Sequence, residues 1–347
     1  MDEIIEIDGS FGEGGGQIIR TSLSLAALTG RGLLVTNVRA RRSRPGLQPQ
    51  HLAAVRAAAE LCDARLDGAF AGSKSFSFLP QRGVQASSYR FEIGTAGAAN
   101  LVLQTVLISL SRQKAASEVV VVGGTHVPHS PSAEYVEQVY LPALRLAGLE
   151  SRYSYPRAGF FPKGGGQLHA SVEPSRSLAP LRLVERGKLV SLTAYVVTAE
   201  LPDHVAERGV AAVTRWARGV GRTLRTEVRR LPSLGAGAAV VLIAECEEGL
   251  AGFSAVGERG KPMERVAQEP CDAFMEWWKT GAACDDHLAD QLVLPMAFAA
   301  GESQWTTPVV TEHLRTVLAV TQKFLPIEYR LDEPTDGPAV VTLRGVG

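Results

Sequence analysis

The stretch Ile4-Ile5-Glu6-Ile7-Asp8-Gly9-Ser10-Phe11-Gly12-Glu13-Gly14-Gly15-Gly16-Gln17-Ile18-Ile19-Arg20 decides the fold of this chain. Its first five residues predict a short strand. The glycine-rich turn that follows leads into a helix that continues to Leu28 and stops at Gly30. A strand, a glycine-rich turn and a helix N-terminus in this order are typical of a phosphate-binding loop.

The glycine-rich turn matches neither standard nucleotide fingerprint. It lacks the Lys-Ser/Thr pair of a Walker A loop, and Gln17 stands where a dinucleotide-binding loop has its last glycine. The glycines alone therefore leave open both a tight structural turn and a ligand loop. Two neighbours favour the ligand loop, because Glu13 offers a carboxylate to a metal ion and Arg20 offers a guanidinium to a phosphate.

The same device recurs further along the chain. Residues 89–93 predict a strand, and a turn of small residues leads from it into a helix that contains Gln104. The segment Gly159–Gln167 echoes Gly9–Gln17, including the final Gly-Gly-Gly-Gln, which indicates a weak internal repeat. We therefore predict an α/β (α+β) fold with a large domain of repeated α/β units, strands in one layer and helices in the other.

The pattern of the sequence changes between residues 185 and 278. This region combines a long strand, a helix from Asp203 to Val220, further strands and a helix that begins at Met263. We predict that 185–278 is a small α/β domain inserted into a larger domain that is formed by 1–184 and 279–347.

Composition limits the class of protein. The 347 residues are 45% hydrophobic and 21% charged, which indicates a globular protein of two or three domains. Lys+Arg and Asp+Glu number 36 each, so a nucleic-acid partner would have to be held by local patches. The four cysteines show neither metal-site spacing nor a disulfide framework. Because no secretory segment or bilayer-spanning run is evident, we expect reduced thiols and a cytoplasmic protein.

A basic segment follows the second predicted strand. Four arginines, Arg39, Arg41, Arg42 and Arg44, occur within six residues and precede a helix that begins near Gln50. On charge alone this is either a solvated loop or a loop that binds phosphates, for which arginine is better suited than lysine.

His313 is the candidate nucleophile. The stretch Val309–Leu318 predicts an amphipathic helix with Thr311 at its N-cap, which places His313 in the first turn. The positive end of the helix dipole lowers the pKa of such a histidine and favours a neutral imidazole. A neutral imidazole is a nucleophile beside N–H groups that attract phosphate, although a surface histidine next to a cap gives the same pattern.

Upstream, the spacing of His287-Leu288-Ala289-Asp290-Gln291 is helical and places His287, Asp290 and Gln291 near one polar edge. Together with the earlier motifs, this stretch resembles the RNA 3'-terminal phosphate cyclases. The segments that carry the resemblance are Gly12–Arg20, Arg42–Leu52, Ile93–Gly97, Leu101–Thr105, Gly123–Thr125, His204–Arg208, His287–Ala297 and the helix at His313. The resemblance extends over nearly the whole chain, and the order and spacing of its segments are specific.

The resemblance implies a large domain of three repeated units, each a four-stranded sheet with two helices, plus the small insert. It also implies ATP-dependent conversion of an RNA 3'-phosphate to a 2',3'-cyclic phosphate through a histidine–AMP intermediate and an RNA–adenylate. ATP and a divalent metal ion, Mg²⁺ or Mn²⁺, are the implied cofactors, and an RNA with a 3'-phosphate end is the implied partner.

By the same resemblance, His313 is the histidine that carries AMP. The nucleotide-binding positions are Gln104, Pro131, His287, Asp290 and Gln291, the phosphate and RNA positions are Arg20, Arg42 and Gln50, and the metal position is Glu13. His287 stands where close relatives often carry tyrosine, which reduces the flat area available to stack on adenine. His287 is also the rival nucleophile.

Two other functions remain open on the sequence. One is a non-catalytic relative that acts in ribosome assembly, a class that lacks the nucleophilic histidine. The other is an enolpyruvyl transferase, which is built from similar units and forms no adenylate. The sequence also leaves open the oligomeric state, a homodimer included, and whether arginines of the insert such as Arg225 contact RNA.

Overall fold

The computed structural model describes residues 4–175 and 177–347, and within them sixteen strands form four sheets of four strands each. The strands are β1 (Ile4–Asp8), β2 (Gly32–Thr36), β3 (Arg65–Asp67), β4 (Phe76–Leu79), β5 (Ser88–Glu92), β6 (Ser117–Gly123), β7 (Ser151–Arg157), β8 (Gly166–Val172), β9 (Arg182–Leu183), β10 (Leu189–Ala199), β11 (Arg225–Arg230), β12 (Gly237–Cys246), β13 (Leu250–Val256), β14 (Glu302–Thr307), β15 (Glu328–Asp332) and β16 (Ala339–Arg344). The helices are α1 (Gly16–Thr29), α2 (Pro49–Cys62), α3 (Ala99–Ser111), α4 (Ala133–Tyr135), α5 (Leu141–Leu146), α6 (Asp203–Gly219), α7 (Met263–Thr280), α8 (Asp286–Gln291), α9 (Val293–Ala297) and α10 (Glu312–Phe324). A π-helical turn, Val136–Tyr140, joins α4 to α5.

Three of the four sheets share one topology. Their strand orders are β1-β2-β4-β3, β5-β6-β8-β7 and β9-β14-β16-β15. In each sheet the first strand is parallel to the second, and the remaining pairs are antiparallel. Each unit therefore follows the pattern β-α-β-α-β-β, and the predicted α+β fold is confirmed.

The third unit is hidden in the sequence because its first strand is very short. The strand β9 has only two residues, Arg182–Leu183, and the chain then leaves the unit before it returns to α8. Between these points lies the fourth sheet, β11-β10-β12-β13, with α6 and α7 packed on it. This sheet and its helices bury a core of their own around Phe274 and Trp277.

Helices of the three units pack against one another, and the sheets cover them. α1 contacts α2, α3 and α10. β1 and β5 alternate between exposed and buried positions, as expected of sheets with one face in water. α3 is buried at every position except Gln104. A helix that is surrounded by protein is expected to be buried on all sides. Gln104 is the one residue of α3 that is not fully buried, which indicates a cavity beside it.

The repeat inferred from Gly-Gly-Gly-Gln is wrong in its alignment. Gly9–Gly16 connects β1 to α1, whereas the echo at 159–166 lies in the hairpin between β7 and β8. The true counterpart of the first turn is the segment between β5 and α3. The two glycine runs are alike because each meets a local need: Gly164 has φ +64° and a Cβ there would lie 2.6 Å from Ala96 Cα.

All four cysteines, Cys62, Cys246, Cys271 and Cys284, are buried and free, in agreement with the expected reduced thiols. Among the residues that the structure describes, no helix combines the length and the apolar character needed to cross a bilayer.

Candidate active site

Helix starts from all three units line one cleft of about 1030 Å³. Its walls include first-turn residues of α1, α2, α3 and α10, which begin at Gly16, Pro49, Ala99 and Glu312. The unpaired N–H groups and the partial positive charge at helix N-termini favour anions. The repeated β-α-β-α-β-β units therefore build a cleft whose walls suit a polyphosphate.

The cleft brings together every residue that the sequence predicted for the site. They are Glu13, Arg20, Arg42, Gln50, Gln104, Pro131, His287, Asp290, Gln291 and His313. The inserted region adds Phe253, Ser254 and Trp277 to the lining. The roles assigned to these residues stay predictions, since proximity alone does not assign chemistry.

His313 lies in the first turn of α10, as predicted from its capping sequence. Thr311 is the N-cap, and its side chain accepts a hydrogen bond from the backbone N–H of Leu314 at 3.1 Å. The His313 side chain is 47% exposed and opens into the cleft. Because the cap holds the first turn, the imidazole is attached to a rigid backbone.

Gln17 links His313 to Asp290. Its amide nitrogen donates to Asp290 Oδ1 at 2.8 Å, and its amide oxygen contacts His313 Nδ1. An amide oxygen only accepts hydrogen bonds, so Nδ1 must carry the proton of the neutral imidazole. The lone pair of His313 is therefore on Nε2. The sequence reasoning quoted Gln17 for its place in the glycine turn but missed this function.

The surroundings of His313 keep its imidazole neutral. Burial and, after it, the nearby charges of Arg20, His287 and Arg42 together lower the pKa of His313 to about 4, while Asp286 opposes the shift. The pKa of His313 is thus shifted in the predicted direction, and burial and neighbouring cations cause the shift. Burial also raises the pKa of Asp290 to about 7.

Glu13 stands beside the nucleophile with one oxygen unused. Its Oε1 pairs with Arg42 Nη2 and lies 3.8 Å from His313 Nε2. Arg42 also donates to the backbone carbonyl of Glu13 at 3.1 Å, which ties the arginine loop to the glycine turn. Glu13 Oε2 is buried, and no residue in the described part of the chain gives it a hydrogen bond.

A lone carboxylate oxygen suits a metal ion that arrives with its substrate. Within residues 4–175 and 177–347, no three His, Cys, Asp or Glu side chains cluster into a complete metal site. Mg²⁺ in phosphate-binding enzymes typically takes one or two carboxylates and fills its octahedron with phosphate oxygens and water. Glu13 Oε2 fits that pattern, whereas a cage made only of protein ligands does not.

Two further groups, His51 and Arg39, face the cleft next to Arg20. The sequence analysis gave His51 no role and included Arg39 only in a loop that is either solvated or phosphate-binding. His51 accepts a hydrogen bond from the Gln48 backbone N–H at Nδ1, 3.1 Å away, so its Nε2 carries the proton of the neutral ring. The side-chain nitrogen of Gln50 lies 3.5 Å from that Nε2. Burial lowers the pKa of His51 to about 3, with Arg20 and Arg39 adding to the shift. Arg39 lies in the basic segment and lines the cleft.

Close packing explains why Gly16 is required between these groups. A Cβ at Gly16 would lie 2.6 Å from His51 Nε2 and 2.8 Å from Arg20 Nη1. Burial lowers the pKa of Arg20 to about 10, which still leaves it charged at neutral pH. Gln50 completes this side through its Oε1, which accepts from the Ala98 backbone N–H at 3.2 Å. The side-chain amide of Gln50 therefore holds α2 against the loop that precedes α3.

The cleft also contains unpaired amide groups. Gln104 Nε2 and Gln291 Oε1 are both buried and have no hydrogen-bond partner among the described residues. One is a donor and the other an acceptor, a combination that suits the edge of a purine. Pro131 and His287 also line the cleft, and Pro131 is held by its carbonyl, which accepts from Asn100 Nδ2 at 2.9 Å.

Asp285 fixes the start of α8 at the cleft and was missed by the sequence reasoning. Its Oδ1 caps α8 by accepting from the His287 and Leu288 backbone N–H groups at 3.0 and 2.8 Å. The same carboxylate accepts from Tyr135 Oη at 2.9 Å and from the Gly252 backbone N–H at 3.0 Å. One buried side chain thus joins α8, α4 and the inserted sheet.

His287 differs from His313 in its electrostatics. Burial lowers the pKa of His287, but the carboxylates Asp286, Asp285 and Asp290 outweigh it and raise the pKa above its ordinary value. A histidine with a raised pKa has a smaller fraction of the neutral, nucleophilic imidazole at a given pH. Of the two candidate histidines, the environment of His313 is better suited to nucleophilic attack.

Comparison with known proteins gives the family that this chain resembles. The family model described as RNA 3'-terminal phosphate cyclase matches residues 11–331. An RNA 3'-terminal phosphate cyclase of Methylococcus capsulatus is 44% identical over 351 residues, covering 99% of this chain and 97% of the relative. One from Nostoc punctiforme is 42% identical over 336 residues, covering 95% and 97%.

A solved structure, the enolpyruvyl transferase NikO from Streptomyces tendae, aligns at 12% identity with a TM-score of 0.26. The alignment covers 100% of this chain and 66% of that one. A similarity this low supports no conclusion about fold or function.

Proposed function

The chain belongs to the RNA 3'-terminal phosphate cyclase family, and we propose that it converts an RNA 3'-phosphate to a 2',3'-cyclic phosphate at the expense of ATP. The observation that carries the proposal is the state of His313, a neutral imidazole whose Nδ1 is occupied by Gln17 and whose Nε2 is free. Such a nitrogen can attack phosphorus without a separate base.

In the first step, His313 Nε2 attacks the α-phosphorus of ATP. The bond from that phosphorus to the bridging oxygen breaks, and pyrophosphate leaves. The product carries AMP on Nε2 and the original proton on Nδ1, so the ring is an imidazolium. Gln17 Oε1 accepts from this Nδ1–H and stabilises the charge that develops.

In the second step, an oxygen of the RNA 3'-phosphate attacks the phosphorus of the histidine-bound AMP. The Nε2–P bond breaks, and its electron pair returns to Nε2, which restores the starting tautomer. In the third step, the vicinal 2'-hydroxyl attacks the activated 3'-phosphorus, releases AMP and loses its proton. Little besides orientation is needed there, because the attacking group is already adjacent.

The cations of the cleft reduce repulsion between the two phosphate-bearing substrates. We assign Arg20, Arg42 and Gln50 to the phosphates, and we add His51 and Arg39 because both line the same cleft. Arg42 has two roles, because besides binding phosphate it pairs with Glu13. Arg20, Arg39 and Arg42 supply the preorganised positive potential that phosphoryl transfer needs, and the neutral side chains of Gln50 and His51 offer N–H donors.

A divalent metal ion, Mg²⁺ or Mn²⁺, would be held by Glu13 together with ATP phosphates. When bound, it supplies charge neutralisation on the phosphates and makes pyrophosphate a better leaving group. Glu13 Oε2 is the oxygen free for this purpose, since Oε1 is engaged with Arg42. The Arg42 contact therefore orients the carboxylate.

The adenine of ATP would lie beside Gln104 and Gln291 in the cleft. The unpaired donor and acceptor of these two side chains suit its edge, and Pro131 and His287 provide flat surfaces for its faces. The resemblance counts Asp290 among the nucleotide-binding positions. Because its Oδ1 accepts from Gln17, we propose that Asp290 also positions Gln17 and His313.

Labelling with α-³²P ATP tests the proposed function. Wild-type protein with Mg²⁺ or Mn²⁺ should retain acid-labile, alkali-stable label after denaturing electrophoresis, and γ-³²P ATP should leave none. Chasing the labelled protein with a 3'-phosphate RNA should release the label and form cyclic ends, whereas a 3'-hydroxyl RNA should not. Absence of label from wild-type protein would refute the mechanism.

The same experiment separates the two rival functions. A non-catalytic ribosome-assembly factor and an enolpyruvyl transferase form no histidine adenylate, so neither retains α-label. The presence of His313 with Glu13, Arg20 and Arg42 in one cleft favours the cyclase over both. We further expect the enzyme to act on RNA in the cytoplasm.

A further inference from the structure

The hairpin that joins β3 to β4 carries an exposed aromatic residue. Its tip, residues 68–75, is here called the first hairpin tip. Phe70 is 64% exposed, and Lys74 is exposed and forms no ion pair with any residue in the described ranges. An aromatic ring with most of its surface in water contributes little to a hydrophobic core. Such a ring is a candidate for contact with a ligand.

Backbone hydrogen bonds fasten this tip to both ends of the basic segment. Gly72 N–H donates to Leu47 O at 2.8 Å, and Leu47 N–H donates to Ser73 O at 2.9 Å. On the other side, Val38 N–H donates to Lys74 O at 2.9 Å. A Cβ at Gly46 would lie 2.2 Å from Gly72 O, so the contact is close. The tip therefore has a fixed place beside the loop that carries Arg39, Arg41, Arg42 and Arg44.

The positive charge of this loop extends from the cleft to the neighbouring protein surface. Arg42 reaches into the cleft and pairs with Glu13, while Arg41 and Arg44 on the same loop are exposed and form no ion pair within 4–175 and 177–347. Arg41 lies close enough to Asp8 for its charge to favour the ionised form of that carboxylate. The backbone hydrogen bonds place the tip that carries Phe70 and Lys74 beside this loop. We call the four residues Arg41, Arg44, Phe70 and Lys74 the Arg41–Phe70 surface. It combines three cations with one aromatic ring at the edge of the phosphate site.

We propose that the Arg41–Phe70 surface binds the single-stranded RNA nucleotides immediately 5' of the terminal phosphate. This inference rests on the proposed function. Proteins bind single strands by stacking bases on aromatic rings and by pairing backbone phosphates with Lys and Arg. With the terminal phosphate at Arg42, the next phosphates meet Arg41, Arg44 and Lys74, and a base stacks on Phe70.

The equivalent hairpins of the other two units lack this combination. The β7–β8 tip also has an exposed phenylalanine and lysine, Phe161 at 73% exposure and Lys163, but it packs near Ala96 and against Leu234 of the insert rather than on the basic segment. The β15–β16 tip carries Glu333 and Asp336. The second tip is therefore a control matched in residue types and exposure.

The test compares Phe70→Ala/Lys74→Ala with Phe161→Ala/Lys163→Ala. The substrate is an eight-nucleotide single-stranded RNA with a 3'-phosphate, and the readouts are KM, kcat, salt dependence and α-³²P ATP labelling. We expect KM of the first variant to rise about 5- to 150-fold, the range given by base stacking on one aromatic ring. Its kcat and labelling should match wild type, and its log KM against log salt should have a slope smaller by about one, for the lost lysine.

The second variant should match wild type in all four readouts. An unchanged KM in the first variant, or an equal rise in both variants, overturns the proposed RNA path. A rise in the second variant alone also overturns it and moves the strand to the β7–β8 tip. Each of these results leaves wild-type labelling and cyclisation intact, so it is distinguishable from failure of the proposed function.

Discussion

Gln17 and His313 lie 296 residues apart in the sequence, and the amide oxygen of Gln17 contacts Nδ1 of His313. The other end of the Gln17 amide donates to Asp290 Oδ1 at 2.8 Å, which decides its orientation. A glutamine in the first turn of α1 thereby sets which nitrogen of His313 is free to react.

Replacement of Gln17 tests whether the reactivity of His313 depends on this contact. Gln17→Leu keeps the size of the side chain but removes the acceptor for Nδ1–H and the donor to Asp290. We expect adenylylation at saturating ATP to slow about 10- to 150-fold, because a hydrogen bond to a charged group contributes roughly 1.5–3 kcal/mol. The measurement is the single-turnover rate of labelling with α-³²P ATP.

A positioning role predicts that KM for ATP in Gln17→Leu stays within about threefold of wild type, because only the developing imidazolium loses a partner. Gln268→Leu, an exposed glutamine on α7, is the control for the substitution itself. A large rise in KM with unchanged kcat would instead make Gln17 a nucleotide ligand.

The identity of the nucleophile is tested by two histidine substitutions. His313→Ala should abolish both labelling and cyclisation, whereas His287→Ala should still be labelled, with a higher KM for ATP. Since His313 is partly exposed at the start of α10, its loss should change Tm by no more than a few degrees. Label in His313→Ala and none in His287→Ala would reverse the assignment.

The lowered pKa of His313 predicts activity in mild acid. A histidine base loses its nucleophilic form only when pH falls through its own pKa, which is about 4 here. At pH 5.5 the imidazole should be about 97% neutral, compared with about 9% at the ordinary value of 6.5. The adenylylation rate should therefore fall less than twofold from pH 7.5 to 5.5 through this group.

Asp290 titrates in the same interval, because burial raises its pKa to about 7. Its protonated form still presents a carbonyl oxygen to Gln17, so we expect a modest effect. Repeating the pH series with Asp290→Asn separates the two groups. A roughly tenfold loss at pH 5.5 in both proteins would show that the pKa of His313 is near its ordinary value.

The surroundings of Glu13 predict that its loss affects adenylylation more than cyclisation. Glu13→Ala should slow adenylylation severely, since that step expels pyrophosphate and depends on the carboxylate that would help to hold the metal ion. The same variant should cyclise a synthetic RNA–adenylate with a clearly smaller loss. Single-turnover rates of the two steps, measured on one preparation, decide the matter. An equal loss in both would mean that Glu13, through Arg42, shapes the whole cleft.

Two arginines provide a contrast between the cleft and the insert. Arg42→Ala should reduce turnover of 3'-phosphate RNA far more than Arg225→Ala. Arg42 lines the cleft and pairs with Glu13, whereas Arg225 is an exposed residue at the start of β11. Turnover is measured at saturating ATP. Equal defects, or a larger one at Arg225, would place an RNA contact on the inserted region.

Much of the fold was predictable because local patterns carry it. Alternating apolar residues indicate β1 and β5, and the capping sequence at Thr311 predicts the start of α10, as observed. The third unit was not evident from the residues, since β9 has two residues and is separated from its partner β14 by more than a hundred positions. The repeated Gly-Gly-Gly-Gln led to a wrong alignment, because glycines occur wherever the local backbone requires them and do not mark equivalent positions in the units.

By itself the sequence determined the helix starts, the glycine turns and the chemical types of the site, because these depend on residues within a few positions of each other. Tertiary structure alone decided the pairing of Gln17 with His313, the unused oxygen of Glu13 and the capping of α8 by Asp285, which also binds the insert. Those contacts join side chains far apart in the chain. Burial and neighbouring charge, which shift the pKa values of His313 and Asp290, likewise exist only once the three units have packed together.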